Sequence, residues 1–314
     1  MCIRDSISLY AALSMLTEMT DGETKRQVMA LLGAADSETL RQTVRDLWMS
    51  VYLDDGRSVC RLANGAFLRE NADVKQEAVD TLADWHFAST YRVPMGTEEA
   101  DKAIAGWLNQ NTGGLLSEET GNIRTDGNDL LRLYNTIYYK SGWQDAFKSS
   151  QTKQDTFTAA PRSLNYGRMV FVLPDEGVTP ESLLQRQGFL AGLTGDYNAA
   201  ELVWSVPKFD VKSSTELNEM LQSLGVTDAF DMAEADFTPL TDNGAFLSSA
   251  MQAARVKIDE EGVEAAAYTE IVCADSAMME VPPTVEMDLD RPFLFVIFDN
   301  SNVPLFVGTV NTMA

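Results

Sequence analysis

The residues that could carry enzyme chemistry are few in this chain of 314 residues. Its one histidine, His86, lies between Trp85 and Phe87 at the end of an apolar helical stretch. A Ser-His-Asp or Cys-His site would need this histidine, and none of the patterns GxSxG, HExxH, GxxxxGK[ST] or GxGxxG after a strand occurs. We interpret His86 as a packed structural residue. A hydrolase that uses His86 is kept as a remote alternative.

Metal and carboxylate chemistry are also weakly indicated. Cys2, Cys60 and Cys273 are odd in number and far apart, so they form neither a disulfide framework nor a CxxC metal site. Neighbouring carboxylates such as Asp54 and Asp55 are common in a chain with 47 acidic residues, so they say little about glycoside hydrolysis. The sequence therefore predicts a protein that is not an enzyme and needs neither a metal nor a cofactor.

The charge of the chain limits its partners. Lys and Arg total 24 against 47 Asp and Glu, a formal charge of −23 at pH 7. A surface this acidic repels nucleic acid and anionic membranes, so we expect neither as a partner. The chain has no apolar run long enough to predict a membrane span.

The segment over residues 260–283 differs in composition from its neighbours. It reads EEGVEAAAYTEIVCADSAMMEVPP and separates two strand-like stretches, AARVKIDE and RPFLFVIFD. Taken alone, its alanine run favours a helix. A strand is the other possibility, and in a strand successive side chains point to opposite faces. As a strand, its inward face would carry only small or apolar residues, namely Val263, Ala265, Ala267, Thr269 and Ile271, while Glu264, Tyr268 and Glu270 would face outward. We interpret the segment as an exposed bait loop that can become a buried strand.

The elements around this segment predict an α+β protein. Helices are predicted over residues 8–19, 20–33, 74–87, 97–114, 179–187 and 214–230, and strands over 59–70, 129–143, 167–177, 200–211, 246–259, 291–299 and 303–311. The strand over 129–143 is rich in Leu, Ile and Tyr and is predicted to be buried on both faces. Regular βαβ alternation and internal repeats are lacking, which favours large mixed sheets. No linker divides the chain, so residues 1–314 are expected to form a single domain.

Four stretches of the chain resemble the serpin family, the serine protease inhibitor fold. They are MDLDRPFLFVI over residues 287–297, VPKFDVKSSTELNEMLQSLGVTDAFDMAEADFTPL, LRLYNTIYYKSGWQDAF with Asn135 and Trp143, and SLYAALSML. The first matches the family signature at every position, and the similarity extends over most of the chain. The resemblance implies a serpin-like α+β fold, with large mixed β-sheets, surrounding helices and an exposed C-terminal reactive-centre loop.

Membership of this family would imply a suicide inhibitor of serine proteases. The protease cleaves the exposed loop and is trapped as an acyl-enzyme while the loop inserts into the central sheet, an established case of strand addition. The resemblance assigns the hinge of the loop to Glu260, Glu261, Gly262, Val263, Glu264, Ala265, Ala266, Ala267, Tyr268 and Thr269. It assigns the region where the sheet opens to Ser8, Asn135, Trp143 and Gln252. It also implies a monomer that acts outside the cell or at its surface. A non-inhibitory or defective serpin-like binding protein is the alternative.

The cleaved bond has two candidate positions. The usual distance from Gly262 indicates Ser276 and Ala277, whereas alignment on the double proline at 282–283 indicates Met278 or Met279. Between Arg255 and Arg291 the only basic residue is Lys257, which precedes the hinge, so a trypsin-like target is disfavoured. We expect an elastase-like or subtilisin-like serine protease, with a cysteine protease as an open alternative.

Two departures from the family pattern are expected to affect the fold. Residues 1–6, MCIRDS, match nothing in the pattern and contain no apolar signal core, so we expect a bacterial-type member with a shortened N-terminus and a foreign head. Near residues 159–168 only PRSLNY stands where the family has several further strands. This omission is expected to remove strands of the second and third sheets and to expose apolar surface beneath them.

Overall fold

The structure is a computed structural model that describes residues 2–4, 6–144, 162–195, 201–260, 262–263 and 284–311. It has the α+β class that the sequence predicts. The helices are α1 (Ser6–Met19), α2 (Gly22–Leu32), α3 (Ser37–Val51), α4 (Gln76–His86), α5 (Glu98–Asn111), α6 (Ser117–Thr120), α7 (Pro180–Leu184), α8 (Phe189–Gly192) and α9 (Asn218–Ser223). The strands are β1 (Cys2–Arg4), β2 (Leu53–Asp54), β3 (Val59–Arg69), β4 (Ala88–Val93), β5 (Leu131–Gly142), β6 (Arg162–Ser163), β7 (Arg168–Val172), β8 (Glu201–Ser205), β9 (Phe209–Glu216), β10 (Met251–Ile258), β11 (Gly262–Val263), β12 (Thr284–Asp288), β13 (Phe293–Phe298) and β14 (Pro304–Val310).

The described strands form three sheets. The large sheet has the order β2-β3-β5-β11-β10-β9, and β4 pairs in parallel with β3. The second sheet has the order β1-β14-β13-β7-β6, and the third consists of β8 and β12 in parallel. Neighbours that are distant in sequence, such as β7 and β13, show that the sheets are built from separate parts of the chain.

The main core lies between the large sheet and the second sheet. All six residues of β13, FLFVIF, are buried, as expected for a strand covered on both faces. In the same cluster Tyr139 and Val256 of the large sheet pack with Ile297 and Phe306 of the second sheet. A separate cluster joins α1, α2, α4 and α9 beneath the other end of the large sheet. The large sheet is thus supported from below along its length.

The helices begin and end at residues whose side chains fit those positions. The Asp36 carboxylate accepts a hydrogen bond from Thr39 N at 2.8 Å, which caps α3. Thr97 caps α5, and the first turn of α5 carries Glu98, Glu99 and Asp101, which suit the positive end of the helix dipole. Gly33 ends α2 with φ of +67°, as its position after the apolar repeat predicts.

Two predicted boundaries are wrong because contacts between residues distant in sequence outweigh the local pattern. The helix predicted over 214–230 begins only at Asn218, because residues 214–216 continue β9 and pair with residues 251–253 of β10. The strand predicted over 246–259 begins at Met251. Just before it, the Ala250 N–H donates to Asn218 Oδ1 at 2.7 Å and the Ala250 carbonyl accepts from Leu217 N at 2.8 Å. These bonds tie Ala250 to the start of α9.

Two predicted strands differ from the prediction: one is divided between two sheets, and the other is not buried on both faces. The strand predicted over 200–211 is two strands in different sheets, β8 and β9, separated by Pro207, which has no N–H to donate to a ladder. The strand over 129–143 is central but not buried on both faces, since residues 131–135 are only half-buried. One edge of β5 pairs with β3 over residues 131–140, whereas the other edge pairs, within the described residues, with the two residues of β11.

The exposure expected near the shortened region is not found in the described part of the second sheet. Met169, Val170 and Phe171 of β7 are buried. Leu164 forms a bridge to Trp143, and Phe189 and Leu190 of α8 pack on the cluster that contains Val170. Within the described residues, this surface is therefore covered.

Candidate functional site

The described part of the predicted hinge is a tight turn between β10 and β11. Asp259 N donates to Gly262 O at 3.1 Å, and Gly262 N donates to Asp259 Oδ1 at 3.3 Å. Gly262 has φ of +155°, a conformation that L side chains rarely adopt, so glycine suits this position. The turn reverses the chain, and β11 runs antiparallel to β10.

Two contacts from neighbouring elements hold this turn. Trp143, directly after β5, donates its indole Nε1–H to the Asp259 carbonyl at 3.0 Å. Lys208, just before β9, forms a salt bridge with Glu260, with Nζ and Oε1 2.5 Å apart. The turn is therefore attached to strands on both sides of it and lies at one end of the large sheet.

Strand β11 lies between β5 and β10. Val263 pairs with Ser141 of β5 and with Ile258 of β10. No ladder joins β5 directly to β10 within the described residues. We call the space between these two strands the slot. Val263 is 4% exposed and belongs to the main core, so the slot already holds one buried side chain at this end.

A small pocket continues along the slot beyond Val263. Its walls include Tyr139 of β5 and Val256 of β10, and Ile297 and Phe306 of the second sheet lie on its inner side. Leu115, from the segment after α5, also lines it. Most of the lining residues are apolar, and Arg255 and Lys257 of β10 complete the walls. The part beside Val256 and Ile297 suits a small uncharged side chain.

The four residues assigned to the opening of the sheet lie at different distances from the hinge along the slot. Trp143 is at the hinge end of the slot. Asn135 and Gln252 lie six residues before Ser141 and Ile258 respectively, which places them opposite each other, about 20 Å from the hinge at 3.3 Å per residue. Ser8 is buried in α1, which packs against β5. The structure thus brings Asn135 and Gln252 to the same level and leaves Trp143 at the other end.

A chain of hydrogen-bonded amides, which the sequence did not predict, begins at Asn135. Its Nδ2 donates to Asn64 Oδ1 at 2.6 Å, and Asn64 Nδ2 donates to the His86 carbonyl at 2.6 Å. Asn135 Oδ1 is buried and has no hydrogen-bond partner among the described residues. This acceptor is available to a donor that enters the slot at this level.

His86 is a structural residue, as its apolar neighbours predict. It is 0% exposed, and its Nε2 lies 3.4 Å from Glu18 Oε1 in α1. Arg41 donates to both Glu18 oxygens at 2.9 and 2.7 Å. Burial opposes ionisation of Glu18, but the bonds and charges of His86 and Arg41 outweigh it and lower the Glu18 pKa to about 2. The hydrolase alternative is therefore wrong, because His86 has no access to a substrate.

Buried hydroxyl groups lie beneath the hinge end of the slot. Ser141 Oγ and Ser58 Oγ are 2.9 Å apart, and Ser141 Oγ accepts a hydrogen bond from Tyr166 N at 2.9 Å. The Tyr139 hydroxyl donates to the Tyr166 carbonyl. Burial raises the pKa of Tyr139 and raises that of Tyr166 to about 12, so both remain protonated at neutral pH. These uncharged groups fix β5 without placing a charge near Val263.

Most of the predicted reactive loop lies outside the described residues. This applies to Glu261, to the hinge residues 264–269, and to Ser276, Ala277, Met278 and Met279. The alternation of inward and outward side chains therefore stays a prediction, for which Val263 is the one described inward residue. Among the described residues, no group of three or more His, Cys, Asp or Glu side chains could hold a metal ion. None of the described helices has the length and apolar character needed to cross a bilayer.

Comparison with known proteins agrees with this arrangement of strands. The family model described as "Serpin (serine protease inhibitor)" matches residues 6–165 and 161–313. Serpin-Z1C of Triticum aestivum is 28% identical over 353 aligned positions, which cover 97% of this chain and 88% of the relative. Because the alignment is longer than the chain, the relative carries positions that this chain lacks.

Solved structures show the same fold. Tengpin, a thermophilic serpin, matches in its native state with a TM-score of 0.84 and 24% identity, over 99% of this chain and 88% of tengpin. A complex of thyroxine-binding globulin with thyroxine matches with a TM-score of 0.80 and 22% identity, over 98% of this chain and 92% of that protein. At these identities the likeness concerns the fold alone.

Proposed function

Because this chain belongs to the serpin family, we propose that it inhibits serine proteases as a suicide substrate. The match to a family described as serine protease inhibitors supports this proposal, and the position of β11 between β5 and β10 is the structural observation behind it. The protease serine would attack a carbonyl in the loop, release the new amino terminus and remain joined to the loop as an ester. Insertion of the loop into the slot would then pull the protease away and distort it before water can hydrolyse the ester.

The register of β11 predicts where each inserted residue would lie. If the chain continues as a strand, Ala265 reaches the level of Tyr139 and Val256, which line the cavity beyond Val263. Ala267 falls two residues further, between Ile137 and Ala254. Two alanine side chains, the smallest that a strand residue other than glycine can have, would thus lie between β5 and β10 beside the main core.

Thr269 would reach the level of Asn135 and Gln252 in the same register. Its hydroxyl could donate to Asn135 Oδ1, the buried acceptor without a partner among the described residues. This contact would satisfy a polar group that otherwise costs free energy to bury. The only hydroxyl residue of the inward set therefore meets a polar level of the slot.

Glu264 would point outward between two cations. Its level in the projected register is that of Lys140 on β5 and Lys257 on β10. Both lysines lie on the outer side of the large sheet, since their neighbours Tyr139, Ser141, Val256 and Ile258 are buried. An inserted Glu264 would thus meet opposite charge on each side.

Insertion would release enough free energy to displace a protease. About a dozen new backbone hydrogen bonds at ~1 kcal/mol net each give a gain on the order of ten kcal/mol. This compares with the whole stability of a typical domain, roughly 5 to 15 kcal/mol. We infer a target of elastase-like or subtilisin-like specificity that cleaves at Ser276 and Ala277, or alternatively at Met278 or Met279. We also infer a monomer that acts outside the cell or at its surface.

A binding protein without inhibitory action is the alternative. Thyroxine-binding globulin shares the fold and was solved with thyroxine, and Tyr268 stands where inhibitory members more often have a small residue. Incubation with pancreatic elastase and with subtilisin, followed by a denaturing gel, separates the two functions. A covalent complex that survives SDS, together with release of the C-terminal fragment, supports inhibition. Cleavage without a complex would contradict it, and the mass of the fragment identifies the cleaved bond.

A further inference from the structure

The pentapeptide NGAFL occurs twice in the chain, at residues 64–68 and 243–247. The first copy lies within β3, and the second lies in the loop that leads into β10. In each copy a glycine follows an asparagine. Glycine has no side chain to shield its backbone nitrogen, so this nitrogen can approach the side-chain amide carbon of the residue before it. Because the five residues are identical, a difference in reactivity between the copies must come from their structural surroundings.

The first copy is held in an arrangement that prevents this approach. Asn64 is 2% exposed. Its Nδ2 donates to the His86 carbonyl, and its Oδ1 accepts from Asn135 Nδ2, each at 2.6 Å. Gly65 lies in the ladders that join β3 to β4 and to β5. A strand that is paired on both sides keeps its backbone extended, so Gly65 N cannot turn toward Asn64 Cγ.

The second copy has none of these restraints. Asn243 and Gly244 are both exposed. Within the described part of the chain, neither the Asn243 side chain nor the Gly244 N–H forms a hydrogen bond with another group. A Cβ added to Gly244 would meet no atom within 4 Å. The amide carbon and the nitrogen that would attack it therefore both lie in open space.

The loop around the second copy is fixed on either side of the Asn-Gly step. Before the step, Thr241 Oγ1 donates to the Asp73 carbonyl at 2.7 Å. After it, Leu247 N donates to the Ala229 carbonyl at 2.7 Å. Residues 243–246, between these bonds, belong to no helix or strand. The backbone of this short span can rotate while the rest of the fold stays in place.

We propose that Asn243 is a site of spontaneous conversion to aspartate and isoaspartate. The Gly244 nitrogen attacks Asn243 Cγ, the Cγ–Nδ2 bond breaks, and ammonia leaves with the proton of the attacking nitrogen. The product is a five-membered succinimide. Water then opens the ring by breaking the bond from its nitrogen either to Cγ, which gives aspartate, or to the main-chain carbonyl carbon, which gives isoaspartate. The site lies before β10, at the end opposite to the hinge, so this reaction does not depend on the proposed inhibition.

Both products place a new negative charge beside Asp242, which pairs with Lys75 through Oδ1 and Nζ 2.6 Å apart. Isoaspartate also adds one carbon to the main chain within the loop. An isoaspartyl residue on an exposed loop is the substrate class of enzymes that methylate its free α-carboxylate. Position 243 is therefore where an enzyme of this class would act on the folded chain.

Peptide mapping of the intact folded chain after incubation at mildly alkaline pH tests the site, because a higher pH favours loss of the Gly244 N–H proton. We expect the peptide with Asn243 to gain the mass difference between an amide and an acid. The isoaspartyl part of this product should accept a methyl group from an isoaspartyl methyltransferase. Conversion of Asn64 should be at least about 100-fold slower, because it requires local opening of β3.

Gly244→Ala is the matched variant, because its Cβ enters open space and should leave the fold unchanged. It should slow the conversion of Asn243 about ten-fold, since a side chain hinders the approach of the nitrogen. In guanidinium, where β3 is unfolded, Asn64 and Asn243 should react at similar rates, because the residues that follow them are the same.

Three results would overturn the proposal. The first is an Asn243 peptide that keeps its mass in the folded chain while both copies react in guanidinium. The second is conversion of Asn64 in the folded chain as fast as that of Asn243. The third is an unchanged rate in Gly244→Ala, which would show that the Gly244 nitrogen is not the attacking group.

Discussion

A charge placed on the inward face of the hinge should convert the inhibitor into a substrate. In the projected register Ala265 lies beside Tyr139 and Val256, and none of the residues that line the adjoining cavity carries a carboxylate. Ala265→Arg would therefore bring an unpaired guanidinium into the main core during insertion. The substitution lies at least ten residues before the candidate cleavage sites, so in the proposed mechanism it affects the insertion step and not the cleavage.

The size of the effect follows from the cost of an uncompensated buried charge. That cost is several kcal/mol, and about 4 kcal/mol would slow insertion roughly 10³-fold at 1.4 kcal/mol per tenfold. Inhibition depends on insertion being faster than hydrolysis of the acyl-enzyme. A delay of this size should let hydrolysis win, so that the protease is released active and the chain is left cleaved.

The assay is titration of elastase or subtilisin activity together with a denaturing gel. Ala265→Arg should give cleaved chain and little covalent complex. Tyr268→Arg, which adds the same charge on the outward parity, should keep most of the complex. Undiminished complex in Ala265→Arg, or equal loss in both variants, would refute the reasoning that the inward parity of the hinge controls insertion.

Three further substitutions probe individual contacts. Thr269→Val removes the proposed donor to Asn135 Oδ1, so it should destabilise the loop-cleaved form by about 1 kcal/mol and leave the intact form unchanged in guanidinium unfolding; equal shifts in both forms would contradict the contact. Glu18→Gln should lower the free energy of unfolding at pH 7 by about 3 kcal/mol, because the Glu18 pKa falls from 4.5 to about 2 on folding. This contribution is present above pH 4.5 and is lost as pH falls through 2, so a variant whose stability keeps the native slope over that range would disprove it. Lys257→Glu should slow insertion about two- to five-fold by repelling Glu264, and Glu264→Lys in the same chain should recover part of the rate in stopped-flow measurements with protease; no recovery would argue against the pairing.

The sequence predicted correctly those elements that the local pattern of side chains is enough to identify. The apolar run of β13, the periodic helices α4 and α5, and Gly33 at the end of α2 lie where the pattern places them. The packed state of His86 also followed from its neighbours. Each of these features depends on burial or on one backbone conformation. Burial selects apolar residues and a left-handed conformation selects glycine, so both can be recognised from the residue type.

The remaining features depend on residues that are distant in sequence. Residues 214–216 prefer a helix locally but pair with β10, and Pro207 divides a continuous apolar stretch between two sheets. Glu18 meets His86 and Arg41 only when α1, α3 and α4 are packed together. Glu118 of α6 meets Lys212 of β9, and the Leu115 carbonyl, just before α6, accepts a hydrogen bond from Arg255 of β10. Glu18 lies at a buried position of α1. A charged residue among apolar helix positions is the sequence signal for a buried ionic partner.

Whether the segment after Val263 enters the slot between β5 and β10 can be measured from the thermal stability of the loop-cleaved chain. A gain on the order of ten kcal/mol in a chain of this length corresponds to a rise in Tm of about 15 °C, from an unfolding entropy near 2.1 cal/mol/K per residue. We expect such a rise in Tm when the loop is cut by a protease that does not remain bound. A cleaved chain that melts at or below the temperature of the intact chain would show that the slot does not receive the loop.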